Sequence, residues 1–81
     1  TIYAISLDVS NEGEFGVGGA SAGHIPRVMV FSQGGTLLWE DVGDAPDDNG
    51  WRPEVDFVNQ ENGMIVRTGE GLTYFAIDRS N

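Results

Sequence analysis

Glycine and proline interrupt this chain so often that it has little room for helix. Twelve glycines and three prolines are spread over 81 residues. No window of about a dozen residues carries an unbroken apolar period of 3.6 residues, which is the pattern of an amphipathic helix. The segments between the interruptions are short and rich in β-branched and aromatic residues, as strands are. The sequence therefore predicts an all-β chain with little or no helix.

The first predicted strand is Ile2–Val9, in which apolar and polar side chains alternate. Strict alternation over a segment of this length is typical of a half-buried strand. We therefore expect a half-buried strand at the start of the chain. The two faces are Tyr3, Ile5, Leu7 and Val9 on one side, and Ala4, Ser6 and Asp8 on the other.

A run of small residues follows this strand. Residues 10–24 contain five glycines, and only Phe15 and Val17 offer large apolar side chains. A Rossmann fingerprint would need glycine in place of Ser21, and a phosphate-binding P-loop would need a lysine that the chain lacks. We therefore predict a flexible loop over residues 10–24, or an arm that orders on contact with a neighbour.

The clearest predicted hairpin joins residues 25–32 to residues 36–42 through Gly34–Gly35. This dipeptide tolerates the positive φ angles of a two-residue hairpin turn. Because apolar residues occur on both faces, we expect the hairpin at a central position, against a second sheet or at an interface. The predicted cross-strand pairs are Val30 with Trp39, Phe31 with Leu38 and Ser32 with Leu37.

A polar connection over residues 43–53 precedes a predicted three-stranded meander. Its strands are expected at residues 54–59, 64–68 and 72–79. A turn at Glu70–Gly71 and a loop over residues 60–63 would align one apolar row and one solvent-facing row that contains a cross-strand ion pair. The apolar row is Phe57, Val66 and Phe75, and the solvent-facing row is Asp56, Arg67 and Tyr74.

About six short strands without a crossover helix indicate a single domain over residues 1–81. The fold class is a small antiparallel barrel or a compact two-sheet sandwich. A domain of this size buries a smaller fraction of its surface than a larger one, so we expect a thin core. The flexible loop at residues 10–24 and an acidic connecting loop at residues 43–53 complete the predicted organisation.

The charge is the second constraint on this chain, and it concerns partners. Thirteen acidic residues face four basic ones, all arginine, for a formal net charge of -9. Such a surface repels nucleic acid and anionic membranes, and it favours basic partners, cations or high salt. The absence of lysine is typical both of a halophilic origin and of a GC-rich genome, and both explanations stay open.

The bulk sequence also excludes some chemistry. Without cysteine, the chain has no disulfide, no thiolate nucleophile and no cysteine-based metal site. No apolar run approaches the roughly 18 residues that cross a bilayer, and the first residues lack the pattern of a secretion signal. We expect a soluble chain without a signal or transmembrane segment, and its location stays open.

No motif names a reaction, so we expect no enzyme, no cofactor and no metal ion. The acidic loop has Ala45 and Asp56 where an EF-hand needs Asp and Glu, and a solvated turn is favoured over an irregular calcium loop. His24, the only histidine, is expected at the surface or in a loop. A sugar-stacking platform would draw on Trp39, Trp51, Tyr3 and Tyr74.

The sequence best fits a non-catalytic protein–protein interaction module, such as a structural or accessory subunit of a viral or cellular assembly. Its partner would be another protein, plausibly with a basic surface, or a second copy of the chain. The alternatives are a small acidic inhibitor that mimics nucleic acid, and a calcium- or carbohydrate-binding β module. The predicted partner-binding residues are Glu40, Asp41, Asp44, Asp47, Asp48, Trp51 and Arg52.

Overall fold

A computed structural model describes residues 2–46, 52–58 and 62–79. These ranges contain strands and turns and no helix, which confirms the all-β prediction. There are seven strands in them, one more than the sequence indicated. In chain order they are β1 (Ile2–Val9), β2 (Phe15–Ser21), β3 (Ile25–Phe31), β4 (Leu37–Val42), β5 (Glu54–Val58), β6 (Gly63–Thr68) and β7 (Gly71–Ala76).

The strands form two antiparallel sheets that pack on one core. The first has the order β1-β2-β3-β4 and the second the order β5-β6-β7, so each is a simple meander. The described strands do not close into a barrel. Both sheets contribute to the apolar core, so neither one has a core of its own. The buried core residues are Val28, Val30, Val55, Phe57, Met64, Val66 and Ile77.

The glycine-rich segment is a strand, so the loop prediction is wrong for residues 15–21. β2 lies inside the first sheet and pairs with both β1 and β3 along its whole length. Its glycines are explained by the second sheet, which approaches closely. A Cβ atom at Gly16 would lie 2.8 Å from the Cε of Met64, and one at Gly18 would lie 2.4 Å from the carbonyl oxygen of Pro53. Small residues here allow packing rather than motion.

The β3–β4 hairpin forms as predicted but with a different turn. Val30 pairs with Trp39, as expected, whereas Phe31 pairs with Leu37 because a bulge at this point leaves Leu38 unmatched. The prediction of a two-residue turn at Gly34–Gly35 is wrong. The loop is longer, with Gly35 at a φ of 93°. Glycine adopts this left-handed conformation without steric penalty, and such loops are commonly followed by a bulge.

The second sheet has the predicted strands in a register shifted by two residues. Phe57 pairs with Met64, and Met64 pairs with Phe75, so the predicted row through Val66 is wrong. The β6–β7 turn uses Gly69 and Glu70, one residue earlier than expected, and Thr68 pairs with Gly71. A shift of two keeps every side chain on its face, so the apolar residues still point into the core.

Strand β1 is present with the predicted bounds, but its apolar residues face outward. Leu7 is 64% exposed and Val9 is 49% exposed. Ser6 and Asp8, on the opposite face, form hydrogen bonds to residues Pro53 to Phe57 of the second sheet. The predicted alternation is present, and the structure places the face with Ser6 and Asp8 toward the second sheet.

Candidate functional site

The most apolar exposed surface is the face of the first sheet that points away from the second sheet, here called the outer face. Cross-strand pairing places Leu7 beside Val17 and Val17 beside Met29, and it places Val9 beside Phe15. These side chains therefore form a continuous apolar surface across β1, β2 and β3. Further exposed apolar residues of the same sheet are Ile5, Leu37 and Val42.

Met29 marks the centre of this outer face. It alternates with Val28 and Val30, which point into the core, yet only 4% of Met29 is exposed. The residue is therefore covered by its neighbours on the outer face and not by the second sheet. Because Met29 is apolar and buried, the centre of the outer face is closely packed and excludes water.

One ion pair lies on the same face. Arg27 donates a hydrogen bond of 2.5 Å from Nη2 to Oε2 of Glu40, and the two side chains are 24% and 28% exposed. The Nε of Arg27 is buried without a hydrogen-bond partner among the described atoms. Glu40 was predicted to bind a partner, and the structure shows its carboxylate already engaged with Arg27.

The contact between β1 and β5 explains why the apolar residues of β1 face outward. Edge strand β5 has amides that no strand pairs, and side chains of β1 accept their hydrogen bonds. The Oγ of Ser6 accepts from the amide of Val55 at 3.1 Å and donates to the carbonyl of Pro53 at 2.8 Å. Oδ2 of Asp8 accepts from the amide of Phe57 at 2.8 Å. Buried amides must be satisfied, so the polar face of β1 turns inward.

A second polar contact joins Glu14, just before β2, to Arg79, which follows β7. Arg79 donates from Nε and Nη2 to the two carboxylate oxygens of Glu14, at 2.6 and 2.8 Å. Arg79 also contacts Asn62, and the amide of Glu14 donates to Oγ of the buried Ser10 at 3.0 Å. A bidentate arginine–carboxylate pair fixes the relative position of the two side chains. The sequence did not suggest this contact, because its members are 65 residues apart.

The outer surface of the second sheet is more polar. Arg67 donates from Nε to Oε2 of Glu54 at 3.0 Å, so the predicted ion pair exists with Glu54 in the place of Asp56. This hydrogen bond, with the Coulomb attraction of Glu54, raises the pKa of Arg67. Leu72 and Tyr74 are exposed nearby. Ile65, Leu72 and Tyr74 share this face with Glu54, Asp56 and Arg67, so apolar and charged side chains lie side by side.

The predicted acidic contact surface is described only in part. Asp41, Asp44 and Arg52 are exposed. Trp51, Asp47 and Asp48 lie outside the described residues, so their role stays a prediction. Among the residues that the structure does describe, no group of three or more carboxylate or histidine side chains could hold a metal ion.

The other candidate residues lie apart from one another. His24 is exposed in the β2–β3 turn with a φ of 62°. Trp39 packs on Phe75 across the two sheets, with ring centroids 5.4 Å apart. Tyr74 is exposed on the outer surface of the second sheet. Trp39 and Tyr74 therefore do not share a surface on which a sugar could stack.

Comparisons with known proteins add no relative to this picture. No family model, no curated protein and no solved structure matches the chain. The described residues form no helix that is long and apolar enough to cross a membrane. Function must therefore be inferred from the surfaces of the chain itself.

Proposed function

We propose that this chain is a non-catalytic protein–protein interaction module, a structural or accessory subunit of a larger viral or cellular assembly. Its contact surface is the outer face of the first sheet. The observation that supports this proposal is the exposure of Leu7 and Val9 beside Val17 and Phe15, on the face that also holds Met29. Exposed apolar surface that is continuous, rather than scattered, is typical of interaction sites.

The size of the outer face fits a modest interface. Four strands about 4.8 Å apart and seven residues of about 3.3 Å each span roughly 19 by 23 Å, or about 440 Å² in projection. The largest apolar patch on a typical monomer is about 300–600 Å² and is often functional, whereas a stable complex buries about 800 Å² on each partner. The outer face alone therefore supports a weak contact, and a tight one needs neighbouring surface as well.

Charge decides which partners are favoured. Two copies of a chain with a net charge of -9 repel each other at low salt, whereas a partner with basic residues around an apolar centre is attracted. The same charge disfavours direct binding of nucleic acid. It also supports a second candidate function, an acidic inhibitor of a basic protein, which would use exposed carboxylates such as Asp41 and Asp44.

Light scattering across a salt series tests the proposal on the chain alone. Raising the ionic strength from about 0.1 M to about 1 M shortens the screening length from about 10 Å to about 3 Å and removes most of the repulsion between copies. We expect the average mass to rise with protein concentration and with salt. Replacing Leu7 and Val9 with serine should lower this association sharply.

The matched control is Leu72→Ser, which removes a leucine that is 71% exposed on the other sheet. It should leave association unchanged. A chain that stays monomeric at every salt and protein concentration would argue strongly against the proposal. So would an equal effect of the Leu72 and Leu7 variants. Binding to a basic protein that weakens with salt and ignores the Leu7 and Val9 changes would favour the acidic inhibitor instead.

A further inference from the structure

The two sheets leave a cleft between β3 and β4 on one side and β6 and β7 on the other, with Pro53 in its lining. The closest backbone approach between the sheets joins β5 to β1 and β2. Toward β3, β4, β6 and β7 there is an opening of about 160 Å³, which reaches the core. Its apolar lining includes Val28, Val66 and Phe75, which belong to or pack against the core.

Two carboxylates lie at this cleft. Asp41 pairs with Val28 across β3 and β4, so both residues are on the inward face of the first sheet. Glu70 lies in the β6–β7 turn and lines the cleft from the second sheet. Both side chains are exposed, and Thr73 adds a hydroxyl. None of the described lining residues is basic, so the cleft combines an apolar floor with negative charge.

The volume limits what can enter. Sites for drug-sized ligands and cofactors have volumes of about 300–1,000 Å³. A cleft of about 160 Å³ is well below that range and matches a single long side chain. Lysine and arginine have an apolar stem and a cationic head, and they bury the stem while the head stays near water or a carboxylate. Their chemistry complements both parts of the cleft.

We propose that this cleft binds one lysine or arginine side chain of a partner protein. The stem packs on Val28, Val66 and Phe75, and the cationic head lies at Asp41 and Glu70. The site is separate from the outer face of the first sheet, and it does not depend on the function proposed for that face. Two of the chain's carboxylates therefore have a local role, because Asp41 and Glu70 favour a positively charged side chain in the cleft.

An NMR titration with n-butylguanidinium tests the site directly. This probe carries the guanidinium head and the whole stem of an arginine side chain, with one further carbon in the place of Cα. We expect the largest amide shifts at Val66, Thr73 and Phe75. n-Butanol, which has the stem without the charge, should bind at least fivefold more weakly. No shift at these amides, or equal binding of the two probes, would overturn the proposal.

Paired variants separate a local site from a general charge effect. Asp41→Asn with Glu70→Gln should weaken n-butylguanidinium binding about fivefold. Glu12→Gln with Asp56→Asn removes the same charge from exposed positions outside the cleft and should change it less than twofold. Equal losses in the two pairs would mean general attraction by an acidic protein and would overturn the proposal. The spectra report in the same experiment whether each variant is folded.

The two proposals fail independently. Serine at Leu7 and Val9 should abolish salt-driven association and leave n-butylguanidinium binding unchanged. Loss of probe binding in that variant would contradict a separate cleft site. A peptide with one arginine between glycines should then compete with the probe, and the same peptide with citrulline, an uncharged arginine analogue, should not.

Discussion

Gly18→Ala tests whether the glycine-rich segment is packed rather than mobile. A Cβ atom at Gly18 would lie 2.4 Å from the carbonyl oxygen of Pro53 and 2.8 Å from Oγ of Ser6. Contacts this short must be relieved, and Pro53 is fully buried, so its backbone has little freedom to move. The methyl group would also push Ser6 away from the hydrogen bond that it donates to Pro53.

The expected loss follows from these two effects. Overpacking costs about 1–3 kcal/mol, and a strained hydrogen bond adds about 0.5–1.5 kcal/mol. We therefore expect Gly18→Ala to lower the free energy of unfolding by about 2–3 kcal/mol. An 81-residue chain has about 4–12 kcal/mol in total, so the loss is a large part of its stability. The melting temperature should fall by about 10–20 °C.

Urea denaturation followed by far-UV circular dichroism measures this loss, with Gly34→Ala as the control. The nearest atom to a Cβ at Gly34 is Oγ of Ser32 at 4.0 Å, so alanine fits there. We expect Gly34→Ala to change the free energy of unfolding by less than about 0.5 kcal/mol. If Gly18→Ala were equally neutral, the close approach of β2 to the second sheet would be wrong, and the flexible loop predicted from sequence would be the better description.

Five further substitutions, at four positions, test the contacts between and within the sheets, each by urea denaturation. Asp8→Ala leaves the amide of Phe57 without its acceptor and should cost about 1–3 kcal/mol, whereas Asp8→Asn keeps an acceptor and should cost less. Arg79→Ala removes a two-pronged, partly buried pair and should cost about 1–2 kcal/mol. Arg67→Ala, at a pair that is mostly exposed, should leave the unfolding midpoint unchanged. Met64→Ala empties a fully buried core position and should cost about 2–5 kcal/mol.

Each of these expectations can be contradicted by its own comparison. Equal losses for Asp8→Ala and Asp8→Asn would show that the hydrogen bond to β5 is not what Asp8 contributes. Equal losses for the Arg79 and Arg67 variants would show that burial does not separate the two ion pairs. If Met64→Ala left the free energy of unfolding unchanged, the packing of Met64 in the core would be contradicted.

The second half of the chain was the more predictable part. Its three strands follow from alternating β-branched and aromatic residues between turn-forming ones, and the structure has them within a few residues of the predicted bounds. Between β5 and β6, the predicted loop was one residue too late, because Val58 pairs with Gly63. Between β6 and β7, the register error of two residues came from placing the turn at Glu70–Gly71 instead of Gly69–Glu70. Neighbouring glycines make both turns acceptable locally, so only the packing of Phe57, Met64 and Phe75 across the strands selects one.

The first half of the chain was less predictable, for a different reason. The glycines of β2 indicated a loop because local composition does not show how near another sheet will come. In the structure, Gly16 faces Met64 and Phe57 of the second sheet, and Gly18 faces Pro53 and Ser6, at distances that leave no room for a side chain without movement of these neighbours. Likewise, the alternation of β1 indicates two faces but not which of them is inside.

The sequence by itself determined that this chain is acidic and that the described residues form strands and turns rather than helices, because composition, glycine spacing and charge are local properties. Only the tertiary structure decided that β2 is a strand and that Leu7 and Val9 face outward. The physical reason lies in the amides of Val55 and Phe57. They need acceptors, Ser6 and Asp8 supply them, and the apolar side of β1 must then face away from the core.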